Sequence, residues 1–136
     1  MLVIVADDQP HMLTFVRRWF ARKYAADRSM RLETIDTLDR LEPLVASLNQ
    51  HPFLIFVDLN WHGDKSRALK TISRIKRSKE RRCWPILVYS ESTDDKDVYD
   101  AHYHHANGYV HKGDNQEEQF INVVEHWRAK QRLPSH

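Results

Sequence analysis

Four apolar runs in this chain each lead into a polar residue that can do chemistry. Asp7-Asp8 follows residues 2–6, Asp58 ends the run 53–57, Ser90 ends 86–89, and Lys112 closes 108–111. Short runs rich in Val and Ile, separated by helix-length amphipathic segments, predict strands of a parallel sheet. In an open α/β sheet, ligands bind beyond the carboxyl ends of the strands. Three carboxylates, one hydroxyl and one ammonium are therefore expected at a single sheet edge. That set suits a divalent cation together with a phosphoryl group.

Between these runs the chain reads as five repeats of strand then helix. Pro10 opens a first helix with Leu13, Val16 and Phe20 on one face and Trp19 and Tyr24 beside it. Residues 31–36 alternate as a more polar strand. Leu38, Leu41, Val45 and Leu48 stripe a second helix, ended by His51-Pro52 because proline disfavours helix at the residue before it. A loop through Gly63 leads to a third helix with Ala68, Leu69, Ile72 and Ile75 inward. Trp84-Pro85 introduces the fourth strand, and residues 94–106 form a helix poor in large aliphatics, with Val98, Ala101 and Ala106 inward. Asn107-Gly108 is a turn before a short fifth strand, and Phe120, Ile121, Val124 and Trp127 stripe the last helix. The chain has three Gly, so other residues must occupy most tight-turn positions.

Length and composition set the class. A chain of 136 residues supports one domain with one real core. Hydrophobic content of 41% and charged content of 29% are ordinary for a soluble protein. The single Cys83 excludes an internal disulfide framework, fits a cytoplasmic setting, and reads as a strand-edge residue. Asp7-Asp8 interrupts the first apolar run too early for a signal peptide, and no run approaches the roughly 20 residues of a membrane span. Between Lys65 and Arg82 stand nine Lys or Arg and one Glu. With a net charge of +2, this stretch reads as a solvated helix face rather than a nucleic-acid patch. His102, His104 and His105 read as solvated too, having no Cys or carboxylate at ligand spacing.

The acidic set is a hard-oxygen site of the kind Mg²⁺ favours, since that ion takes one or two carboxylates and keeps several waters. Carboxylates about 4 Å apart repel by roughly 1–4 kcal/mol per pair, depending on local dielectric, and a dication offsets this. Phosphoryl transfer to a carboxylate needs in-line positioning and neutralisation of the equatorial oxygens. Lys112 and Ser90 can each serve one of those oxygens, with Asp58 as nucleophile.

Asp7-Asp8, Phe56-Val57-Asp58-Leu59-Asn60, Pro85-Ile86-Leu87-Val88-Tyr89-Ser90 and Gly108-Tyr109-Val110-His111-Lys112 resemble the receiver domain of bacterial response regulators. The resemblance covers essentially the whole chain in order and spacing. It implies a flavodoxin-like, CheY-like (βα)₅ fold with a doubly wound, five-stranded parallel sheet. It also implies phosphorylation on aspartate by a partner sensor histidine kinase, and a receiver that catalyses its own phosphorylation and dephosphorylation without being a metabolic enzyme. Carried over, Asp58 is the phosphoacceptor. Asp8 and Asp58 bind Mg²⁺ directly, Asp7 through water and Asn60 through its backbone carbonyl. Ser90 is the switch hydroxyl, Lys112 the phosphate-binding lysine and Tyr109 the aromatic that changes rotamer. Read from the residues alone, Tyr109 is equally a plain strand-end core residue.

Phe120, Trp127, Leu133-Pro134 and the Asp58-Leu59-Asn60 segment are similar to stand-alone receivers that partner phytochromes, which makes a bacteriophytochrome the candidate kinase. The chain departs from the family at Gly113, where many receivers have Pro, and at Trp61-His62, where Met-Pro is usual. One receiver domain over 1–136 is expected, its core about 1–128 and its tail 129–136, with no output domain. Signalling then runs through an unknown downstream protein, or a homodimer through the face made by helix four, strand five and helix five. Three competitors stand beside this. A haloacid dehalogenase-type phosphohydrolase is disfavoured by Asn60, where that family needs a second Asp. The others are a phosphorelay shuttle and a basic interaction module without phosphorylation-dependent output.

Overall fold

Successive side chains of a strand face opposite sides of a sheet, and here both sides are apolar. The molecule is described by a computed structural model over residues 1–48, 53–79, 81 and 84–132. Five strands, β1 (Leu2–Ala6), β2 (Arg31–Ile35), β3 (Phe53–Asp58), β4 (Ile86–Ser90) and β5 (Gly108–His111), form one sheet in the order β2-β1-β3-β4-β5. Every pairing is parallel. The helices are α1 (Pro10–Tyr24), α2 (Leu41–Ser47), α3 (Ser66–Lys76), α4 (Asp95–Tyr103) and α5 (Gln116–Arg132).

Val3 and Val5 of β1, Leu54 and Phe56 of β3, and Leu87 and Tyr89 of β4 face α1 and α5, where they meet Leu13, Val16, Phe120 and Val124. The intervening residues Ile4, Ile55, Val57, Ile86 and Val88 face the other way, onto Leu41, Val45, Ile72 and Ile75 of α2 and α3. The doubly wound, five-stranded parallel sheet is thus the fold expected from the sequence. Among the described residues, no helix is long and apolar enough to cross a membrane.

Several local expectations need correction. The second predicted helix is split: Leu38–Arg40 is a 3₁₀ turn, and α2 stops at Ser47, leaving Leu48 half-buried beyond its end. The proposed stop at His51-Pro52 lies outside the described residues, as do Cys83 and Leu133-Pro134. The second strand ends one residue early, at Ile35, and Gly108 belongs to β5 rather than to a turn. The fourth helix covers less than 94–106, and its inward positions are Asp97 and Ala101, with Val98 only half-buried. A buried charge is hard to foresee because its partners come from distant loops.

The basic stretch is not all solvated either. Lys76 is buried, its ammonium donating to the Trp84 carbonyl and to Asn107 Oδ1 at 2.6 Å. Arg67 and Arg74 reach Asp39 and Glu42 at 3.2 and 3.1 Å, so part of that face serves to join α3 to the 3₁₀ turn and α2.

Candidate functional site

The strand order reverses direction between β1 and β3, and at such a switch point the connections leave a crevice outside the strand ends. Ala6 lies opposite Val57 in register, which brings Asp7, Asp8 and Asp58 to that crevice side by side. On the other flank Ser90 pairs with His111, and the Lys112 N–H donates to the Ser90 carbonyl at 2.7 Å, continuing the ladder by one residue. Register alone therefore sets Lys112 beside Ser90.

The Lys112 ammonium bridges two carboxylates, 2.9 Å from Asp7 Oδ2 and 3.1 Å from Asp58 Oδ1, and lies 5.0 Å from the centre of the Tyr89 ring. Its side chain is 2% exposed. Burial works against this ammonium, but the Asp58 and Asp7 charges outweigh it and raise its pKa above the ordinary lysine value. Asp58 moves the other way in meaning. Burial pushes its carboxyl up to about 6; Lys112 opposes the shift, and the neighbouring Asp7 and Asp8 charges add to it. One ammonium shared among crowded carboxylates leaves Asp58 undercompensated.

One oxygen each from Asp7, Asp8 and Asp58 lies within 4.8 Å of the others. A divalent cation fits this donor set: the ligands are hard oxygens, and three carboxylates facing one ammonium leave negative charge to neutralise. A cleft of about 520 Å³ opens over the strand ends, lined by Asp8, Asp58, Asn60, Ser90 and Lys112 among others. Asp7 lies beneath it, fully buried, with Oδ1 accepting from the Gln9 N–H at 2.9 Å. Tyr109 is half-buried and donates its hydroxyl to the Ser92 carbonyl at 2.8 Å.

Sequence reasoning passed over three contributors. Trp61 is buried, and its indole N–H donates to the Asp58 carbonyl at 2.6 Å. Trp61 and Asp64 bond each other across a two-residue turn whose central residues, His62 and Gly63, have φ of 53° and 81°. Positive φ at both positions marks a type I′ turn. The turn delivers the His62 N–H to Asp8 Oδ2 at 3.1 Å. Lys65, on the cleft wall, and Asp97 form a third contact that joins the loops around the crevice. The His62-Gly63 pair was the available signal, since Asn-Gly-like dipeptides mark such turns.

No protein-family model and no curated protein sequence matches the chain. Solved structures do. The phosphorylated cyanobacterial phytochrome response regulator RcpA superposes with a TM-score of 0.79 at 19% identity, covering 98% of each chain. The Mn²⁺-bound response regulator Rcp1 gives 0.73 at 17% identity, covering 98% of this chain and 99% of the other. The response regulator RPA3017, from red light signalling in R. palustris, gives 0.74 at 19% identity, covering 98% and 96%. Identities this low leave the path of the backbone as the shared property, and by that path the chain has the fold of a response regulator receiver domain.

Proposed function

We propose that the chain is a response regulator receiver that takes a phosphoryl group onto Asp58 from a phosphohistidine of a sensor kinase and signals through contacts that change with phosphorylation. The supporting observation is the buried Lys112 ammonium bridging Asp7 and Asp58 beside Ser90, at the mouth of an acidic cleft. A structural ion pair needs one partner; a lysine shared by crowded carboxylates at a strand-end crevice is arranged for an incoming anion.

In the transfer, a carboxylate oxygen of Asp58 forms a new O–P bond as the N–P bond to the donor imidazole breaks. The imidazole keeps the electron pair and takes up a proton from solvent. Lys112 is placed to hold one equatorial phosphoryl oxygen, and the Ser90 hydroxyl another. Asp8, Asp58 and the Asn60 backbone carbonyl would hold Mg²⁺, with Asp7 acting through water. When bound, the ion neutralises charge on a phosphoryl oxygen. Hydrolysis reverses the state: water oxygen bonds to phosphorus, the Asp58 O–P bond breaks, and inorganic phosphate leaves.

The phytochrome and red-light roles in the names of the similar structures support a bacteriophytochrome as the kinase. The α4–β5–α5 face, with Tyr109 and Trp127 half-buried along a groove, is where the phosphorylated state would be read, by a downstream protein or a second copy.

Intact-protein mass after incubation with acetyl phosphate and Mg²⁺ tests this reading. One phosphoryl adduct is expected, lost on chelation and absent from Asp58→Asn. An adduct that persists in Asp58→Asn refutes Asp58 as acceptor; no adduct from either acetyl phosphate or a phosphorylated histidine kinase refutes the receiver function.

A further inference from the structure

Helix α4 is attached to the body by little apolar surface. Within it only Ala101 and Asp97 are buried, and an alanine removes far less apolar area from water than a leucine or phenylalanine. Asp94 caps its first turn, accepting from the Lys96 N–H at 3.0 Å, and Asp97 ties that turn to the body. Asp97 Oδ2 accepts from Lys65 Nζ at 2.7 Å and from Ser92 Oγ at 2.5 Å. Lys65 stands before α3 and Ser92 before α4, so this oxygen ties together the two loops that wall the cleft. Ser92 also touches both candidate switch residues. Its N–H donates to Ser90 Oγ at 3.1 Å, and its carbonyl accepts from the Tyr109 hydroxyl at 2.8 Å.

We propose that Lys65 and Asp97 are positioning residues forming a latch, which holds Ser90 and Tyr109, through Ser92, in the unphosphorylated arrangement. The latch rests on the reading of Asp58 as phosphoacceptor and says how that same site is regulated. For the Ser90 hydroxyl to turn to a phosphoryl oxygen, the segment carrying Ser92 must move with it, and this pulls Ser92 away from Asp97. The latch then opens, and its strength is therefore subtracted from the affinity of the cleft for a phosphoryl group.

The test is titration of beryllofluoride, a phosphoryl mimic, against the full chain with saturating Mg²⁺, read by calorimetry. The Lys65→Met variant is expected to bind it roughly two- to five-fold more tightly than the unmodified protein, the range for a half-exposed ion pair. Lys65→Arg restores the original affinity, and Asp97→Asn tightens binding in the same direction. A purely structural salt bridge predicts none of these gains. In a Ser90→Ala background the effect of Lys65→Met shrinks, because only the branch through Tyr109 remains. Unchanged or weaker binding by Lys65→Met, alongside normal binding by the unmodified protein, overturns the latch. An undiminished effect in the Ser90→Ala background overturns the route through Ser90. Failure of the unmodified protein to bind beryllofluoride at all, with Mg²⁺ bound, overturns the phosphoacceptor reading and the latch together.

Discussion

Asp58 shows most directly how a buried site trades stability for chemistry. Its carboxyl is raised from the ordinary aspartate value of 3.8 to about 6, with burial the largest cause. A folded-state pKa above the unfolded one means that the native state holds its proton longer. The associated stability is present in full below about 4 and is lost as pH rises through about 6. At neutral pH and without metal, Asp58 is therefore a destabilising charge. Asp58→Asn should raise the unfolding free energy of the metal-free protein at pH 7.5 by on the order of 1–3 kcal/mol. The gain should shrink as pH falls from 6 to 4. Urea denaturation at several pH values checks this; a gain that stays constant down to pH 4 would assign it to something other than the buried charge. Added Mg²⁺ should stabilise the unmodified protein more than the variant, since metal binding to N and not to U raises stability by mass action.

At the scale of single elements, the end of α4 shows how a glycine-poor chain closes its helices. The Ala106 N–H bonds the Ala101 carbonyl and the His105 N–H bonds the His102 carbonyl. These are the two bonds of a Schellman motif, with His105 at the left-handed position, φ 73°. Ala101 and Ala106 both belong to the buried cluster on that face, the apolar contact that accompanies the motif. A non-glycine residue there is strained by roughly 1–2 kcal/mol, partly offset by the entropy a glycine loses on folding. Because His105 is exposed, His105→Gly should stabilise the protein by about 0.5–1 kcal/mol. Thermal unfolding reads this directly, and a lowered midpoint would show that the imidazole makes a contribution of its own. The sequence signalled only that non-glycine residues must fill turns; which ones do so depends on where each helix stops, and α4 stops three residues sooner than its pattern suggested.

Across the whole molecule, α5 closes the core it shares with α1 through Phe120. Its ring lies 5.1 Å from that of Phe56 and 6.0 Å from that of Trp19, joining two helices to the central strand. Phe120→Ala should cost about 3–5 kcal/mol, a large share of the 5–15 kcal/mol that holds a typical domain. The loss is measurable as a lower urea midpoint. On the remote side, Tyr24 donates to Glu125 at 2.6 Å, fastening the same two helices, and Arg128 of α5 pairs at 2.6 Å with Asp27 just beyond the end of α1. The repeat of strand and helix, the inward faces of α1, α3 and α5, and the convergence of Asp7, Asp8, Asp58, Ser90 and Lys112 were all readable from residue order, because periodicity and strand ends are local properties. The buried polar contacts were not. That Asp97 would be buried against Lys65, and Lys76 against Asn107, depends on which loops the sheet brings together. No window of sequence contains both partners of a contact made across the fold.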